Sequence, residues 1–136
     1  MSREVRIEAL ARTIIDCGFH LHRKLGPGLL ETAYELILFK ILSQQGLAVR
    51  RQVPITINYE GVVVDNAFKI DLLVEDLLVV ELKSTERASP VHAKQVLTYL
   101  RLMNLPLGLL MNFGQSTFKD GIKRVANDYR GPFHGR

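Results

Sequence analysis

Cysteine occurs once in the 136 residues, at Cys17, and tryptophan does not occur at all. A single cysteine cannot form an internal disulfide, which excludes a small disulfide-stapled scaffold and points to a reducing compartment, the cytosol. Nothing near the N-terminus pairs a basic patch with an uninterrupted apolar stretch and a small-residue cleavage site, which agrees with a cytoplasmic location. Long apolar runs are also missing. The longest, Leu105 to Met111, is broken by Pro106 and Gly108 and falls far short of the roughly 20 residues a spanning helix requires. Internal repeats and low-complexity segments are absent too. What remains is 47% hydrophobic, enough for one core in a chain whose length suits one domain of roughly 100 to 150 residues.

The net charge is +4, unevenly distributed: +3 over residues 1–51, −4 over 52–93 and +5 over 94–136. An acidic middle between basic flanks suits a polyanion bound around a cation-binding centre. The alternative is that acids happen to fall in one segment.

Residues 3–25 place Val5, Leu10, Ile14, Leu21 and Leu25 at helical spacing, with Ile7, Ala11 and Ile15 in adjoining rows. Gly26-Pro27-Gly28 breaks that helix. A second helix follows with Leu29, Leu30, Ala33, Leu36, Ile37, Ile41 and Leu42 as its apolar face and Gly46 as its C-terminal glycine. Alternation then sets in. Val53, Ile55, Ile57 and Tyr59 share one strand face, and Val62–Glu75 and Leu77–Thr85 complete an antiparallel meander. Leu77-Leu78-Val79-Val80 is apolar on both faces, the mark of a central strand. Ser89-Pro90 signals a helix start, with a serine N-cap and proline at the first position; this helix runs to about Met103 and buries Val96, Leu97, Leu100 and Met103. Leu107–Phe113 is a further buried strand, 117–129 a strand or a helix, and 131–136 a flexible tail. The order implies an α/β fold, a mixed sheet between helices, with residues 1–130 as one domain.

The chemistry concentrates in two stretches, Asp71-Leu72-Leu73-Val74-Glu75 and Glu81-Leu82-Lys83. Side chains two apart on a strand share a face, so Glu81 and Lys83 project together while Leu78, Val80 and Leu82 point the other way. A hairpin brings Asp71 beside Glu81. Two converging carboxylates repel unless a cation lies between them, and oxygen ligands favour Mg²⁺ or Mn²⁺. A salt-bridged surface Glu-x-Lys pair is the plainer explanation of the same residues. On the helix from Ser89, His92, Gln95 and Tyr99 form one stripe, which faces either a cleft or solvent. On the second helix Glu31 and Tyr34 share a face with Glu35 adjoining, and Glu31 lies in the first turn, where the helix dipole favours a carboxylate. Cys17, His20 and His22 do not form a zinc site, because residues 20 and 22 of a helix point about 200° apart. Gly26-Pro27-Gly28 lacks the lysine and hydroxyl residue of a phosphate-binding loop.

Gly28-Leu29-Leu30-Glu31-Thr32-Ala33-Tyr34 resembles the signature of the GxxExxY family, a branch of the PD-(D/E)xK nuclease superfamily. The resemblance extends from about His22 through Arg51-Gln52-Val53-Pro54, the Asp71 and Glu81 stretches, Pro90-Val91-His92 and Leu107-Gly108-Leu109-Leu110 to Asn112-Phe113-Gly114. It implies a restriction-endonuclease-like α/β/α core and a metal-dependent nuclease acting on DNA, with RNA as the other substrate. By the same resemblance Asp71 and Glu81 are the metal-binding acids, Lys83 is the motif lysine and Glu31 an additional acid. Mg²⁺ is the implied ion, with Mn²⁺ as its substitute. Gln95 through Tyr99 resembles the Gln-x-x-x-Tyr motif of RecB-type nucleases, and His92 would touch the substrate backbone. One departure is Ile70, which stands where the family pattern has proline. As a general base Lys83 would need a pKa far below about 10.4, and neighbouring carboxylates push the other way, so an orienting and charge-stabilising role is expected. The other reading of the whole chain is a catalytically silent nucleic-acid-binding or assembly module on the same fold; under either reading a homodimer or a protein partner is an expected associate.

Overall fold

The computed structural model describes residues 2–132. Its elements in chain order are α1 (Arg3–Leu25), α2 (Glu31–Gln44), β1 (Val49–Tyr59), β2 (Val62–Val74), β3 (Leu78–Lys83), α3 (Pro90–Met103), β4 (Leu107–Asn112), α4 (Phe118–Gly121) and β5 (Ile122–Ala126). The segment that admitted a strand or a helix holds both, a short α4 followed by β5. Of the expected tail, Gly131 is buried and Pro132 half-buried, while 133–136 lies outside the described residues.

α1 begins where the Ser2 hydroxyl accepts a hydrogen bond from the Val5 N–H, and it ends at Gly26 in a left-handed conformation with φ +70°. Its buried stripe is Ile7, Leu10, Ala11, Ile14, Gly18, Leu21 and His22. Val5 and Leu25, expected in the stripe, are exposed at the helix ends, beyond the reach of the sheet. Gly18 is required by contact: a Cβ there would lie 2.4 Å from both Met111 Cε and the Phe118 ring.

α2 starts later than the apolar pattern suggests. Leu30 is its N-cap and is 79% exposed, and Leu29 and Leu36 are exposed as well. The buried line is instead Tyr34, Leu38 and Leu42, one residue per turn, with Glu35 beside it. Ser89 precedes α3 in an extended conformation with Pro90 in the first turn, but its hydroxyl makes no capping bond. Only Val96 and Leu100 of α3 are buried; Leu97 and Met103 are half-buried, because α3 lies over the sheet on a narrow stripe.

The five strands form one mixed sheet in the order β1-β2-β3-β4-β5. β3 and β4 are parallel, connected through α3, and every other neighbouring pair is antiparallel. β3 is central, as its two-sided apolar run indicates. On one face Leu72, Val74, Leu78, Val80, Leu82, Leu107, Leu109 and Met111 pack against α1 and α2. On the other, Val53, Ile70, Leu73, Val79 and Val125 pack against α3 through Val96 and Leu100. The result is a helix, sheet, helix sandwich with polar groups admitted where strands diverge.

Candidate active site

Two strands separate at this site, and their side chains replace the missing backbone ladder. β2 and β3 pair antiparallel at Val74↔Leu78, Leu73↔Val79 and Leu72↔Val80. One step further stand Asp71 and Glu81. There the Asp71 N–H donates to Glu81 Oε1 at 3.3 Å, and the Leu82 N–H donates to Asp71 Oδ2 at 2.8 Å. Each carboxylate thus engages the other strand's backbone, and the two acids meet at the fork as the strand reading expected.

The layers explain why Asp71 is available. Phe68 and Ile70 belong to the α3 side of the core, whereas Leu72 and Val74 belong to the α1–α2 side. Strict alternation would keep all four on one face, so β2 turns over at Asp71. β1 does the same opposite it: Val49 packs with α1 and α2, Val53 and Ile55 with α3. Between them Gln52 has φ +50°, a left-handed backbone that non-glycine residues seldom adopt. Gln52 and Asp71 also drop out of the pairing, Arg51↔Leu72 then Val53↔Ile70, and the register shifts a second time between Ile55 and Ile57, farther along the hairpin.

Glu81 is 5% exposed. Burial first, then the Asp71 charge, pushes its pKa up to about 8, while the Asp71 N–H and Lys83 act in the opposite sense and Glu31 adds further upward pressure. Lys83, two residues on, is half-buried at the end of the same strand. Glu31 is exposed in the first turn of α2, and its charge reaches both Glu81 and His92. His92 is held below its ordinary value by burial and then by Lys83. Burial and the Glu81 and Asp71 charges raise Tyr99, whose ring stacks on Phe68 at 4.1 Å. The structure therefore brings Asp71, Glu81 and Lys83 to one fork, with Glu31, His92 and Tyr99 close enough to feel their charges. Gln95 is exposed in α3, and its side chain makes no hydrogen bond among the described residues.

Two neighbours of Glu31 on α2, Glu35 and Tyr34, have roles at this fork that their place on the helix face does not reveal. Glu35, 4% exposed, accepts from Arg51 at 2.8 Å and from Gln52 at 2.6 Å, and the Gln52 amide also donates to Asp71 Oδ1 at 3.3 Å. An acid inside the apolar run Tyr34 to Phe39 was the available sign. Tyr34 is fully buried, stacks on Phe113 at 4.3 Å, donates to the Gly26 carbonyl and accepts from the Leu29 N–H. Ser84 ties the Leu29 carbonyl to the end of β3. The Gly28 to Tyr34 stretch thus holds the start of α2, and Glu31 with it, against the end of the Lys83 strand.

Beside Lys83 opens a cleft of about 290 Å³ whose lining includes His92, Asn112, Gln115 and Lys123. The acid pair lies outside it. The buried Asn112 side chain is consumed in holding the strand ends: Nδ2 donates to the Thr85 carbonyl, and Oδ1 accepts from the N–H groups of Thr85 and Gly114.

A family model described as PD-(D/E)XK nuclease superfamily matches residues 8–125. The chain belongs to the PD-(D/E)XK nuclease superfamily. No curated protein and no solved structure matches it. Its mixed sheet between helices is the restriction-endonuclease-like fold of that superfamily. PD-(D/E)XK nucleases generally use divalent metals. The donors present suit such an ion in part: Asp71 and Glu81 offer only oxygen, and the burial that disfavours a second negative charge at Glu81 is what a cation would relieve. Among the described residues, however, no three His, Cys, Asp or Glu side chains form a group able to hold an ion, so Glu31 does not join the acid pair as a third ligand even though its charge reaches Glu81.

Proposed function

We propose that the chain is a Mg²⁺-dependent nuclease of the GxxExxY branch that hydrolyses phosphodiester bonds in DNA, with RNA as a second substrate class and the cytoplasm as its location. The observation that carries this reading is the strand fork, where Asp71 and Glu81 are cross-bonded side by side two residues from Lys83, within a chain matched by a nuclease model.

Asp71 and Glu81 would hold the ion, with a backbone carbonyl of the Glu81 strand as a further donor and Glu31 reaching it directly or through water. When bound, a divalent ion lowers the pKa of its water and withdraws charge from phosphoryl oxygens. Lys83 orients the attacking water and stabilises charge growing on the phosphate. Tyr99 and Gln95 position Lys83 or a phosphate oxygen, and His92, uncharged near neutrality, contacts the substrate backbone. Hydrolysis adds the water oxygen to phosphorus and breaks one ester P–O bond, leaving a phosphomonoester and a hydroxyl.

A second reading is a silent nucleic-acid-binding or assembly module, and the lack of a three-ligand group among the described residues favours it. Cleavage of plasmid, single-stranded DNA and RNA with Mg²⁺, Mn²⁺ or EDTA separates the two. The nuclease reading expects EDTA-sensitive cutting, reduced about 100-fold or more in Lys83→Ala and Asp71→Asn. Salt-dependent binding with no cutting under any metal would establish the silent module instead.

A further inference from the structure

We propose that Gln52 is a positioning residue that sets the orientation of the Asp71 carboxylate, anchored from behind by Glu35 and Arg51. The proposal rests on the active-site reading of Asp71.

The geometry is a continuous line from α2 to the fork. The Arg51 guanidinium lies over the Phe39 ring, 5.7 Å from its centroid, and donates through Nε and Nη2 to Glu35 Oε2 at 3.1 and 2.8 Å. Glu35 Oε1 accepts from Gln52 Nε2 at 2.6 Å, and the same Nε2 donates to Asp71 Oδ1 at 3.3 Å. Asp71 Oδ2 accepts from the Leu82 N–H at 2.8 Å. Both Asp71 oxygens are therefore fixed, one by the neighbouring strand and one by a side-chain amide. An amide carries two N–H donors and suits this place between two carboxylates better than any charged side chain. A carboxylate there would add a third negative charge, and an ammonium would compete with Arg51.

The backbone supports the same conclusion. Gln52 takes a left-handed φ of +50° in the middle of a strand, directly opposite the point where β2 turns over. Left-handed non-glycine residues cluster at functional sites, where the surrounding structure over-determines them. Here the over-determination is visible in two carboxylates holding one amide. Side chains that orient metal-binding groups from behind typically change metal affinity or activity 10–100-fold when removed.

The test measures Mn²⁺ affinity of the full chain by electron paramagnetic resonance, with urea unfolding alongside. Wild type, Asp71→Asn, Gln52→Gly and Gln52→Asn are compared. Glycine and asparagine both tolerate the left-handed backbone, and neither can span from Glu35 to Asp71. The expected result is a Mn²⁺ Kd raised about 10–100-fold in both Gln52 variants, each still folded and unfolding cooperatively in urea. Wild-type binding that depends on Asp71, together with unchanged affinity in a folded Gln52 variant, overturns the positioning role and leaves the active-site reading intact. Wild-type Mn²⁺ binding that ignores Asp71→Asn defeats that reading and this inference with it.

Discussion

Glu81 couples the stability of the fold to pH. Its folded pKa is pushed from an ordinary value near 4.5 up to about 8 by burial and by Asp71, so between those values the folded chain binds more protons than the unfolded one. Metal-free stability then falls as pH rises from about 4.5 to about 8 and is level above it. Glu35, also raised by burial, adds to the fall, whereas His92, lowered by burial, makes stability rise with pH up to its ordinary value near 6.5. Urea melts in EDTA at a series of pH values should show the decline, and Glu81→Gln should shrink or reverse it. An unchanged slope in Glu81→Gln would place the titration elsewhere. Glu81 and Lys83 were legible in the sequence because a period of two decides which strand residues share a face, and Asp71 because a hairpin sets it opposite Glu81. The link from Glu35 through Gln52 to Asp71 was not, because the turnover of β1 and β2 breaks that period, and nothing in a glutamine announces a left-handed backbone.

Among the elements, the loop from Gly26 to Leu30 and the ends of β3 and β4 decide how the site residues are presented. Tyr34 closes the loop through the Gly26 carbonyl and the Leu29 N–H, so Tyr34→Phe keeps the stack on Phe113 and loses both bonds. The expected cost is about 1–3 kcal/mol in urea unfolding, with a fall in any cleavage activity, because Glu31 begins the helix that this loop introduces. At the strand ends a Cβ on Gly114 would come within 2.3 Å of the Thr85 backbone. Gly114→Ala must push the exits of β3 and β4 apart, and a loss of about 1–3 kcal/mol is expected; Gly61→Ala, in open space but at φ +86°, serves as a comparison for backbone strain without crowding. The helix start after Gly28 and the buried β4 run were readable from glycine, proline and apolar spacing. The exposure of Leu29 and Leu30 was not, because hydropathy alone cannot tell a first turn from the capping residues ahead of it.

On the scale of the whole molecule, the charge pattern means something different once folded. Of the seven acids in the middle segment, Glu75 and Asp76 are spent on Arg6 and Arg50 away from the fork, and Asp71 and Glu81 are the two that meet at the fork, where the Glu31 charge is also felt. The hairpin of β1 and β2 carries no lysine or arginine from residue 52 to 68 and exposes Tyr59, Val62, Val63 and Val64, which excludes it as a phosphate-tracking surface. Among the described residues every ion pair uses arginine and none uses lysine. The lysines thus stand outside these ion pairs, as do Arg12, Arg23, Arg87, Arg101 and Arg130, and of these cations Lys83 and Lys123 line the cleft next to the fork. Lys123 and Arg124 are consecutive on β5 and point to opposite faces, and Arg124 is already held by both oxygens of Glu8 at 3.0 and 2.7 Å. Nucleic-acid binding measured across a salt series should separate these neighbours. Lys123→Ala should weaken binding and reduce the slope of log K against log salt by about 1, whereas Arg124→Ala should leave the slope unchanged and lower stability instead. Equal slopes in the wild type and Lys123→Ala would remove the cleft from the binding surface, and a slope change confined to Arg124→Ala would move that surface to the opposite face of the sheet.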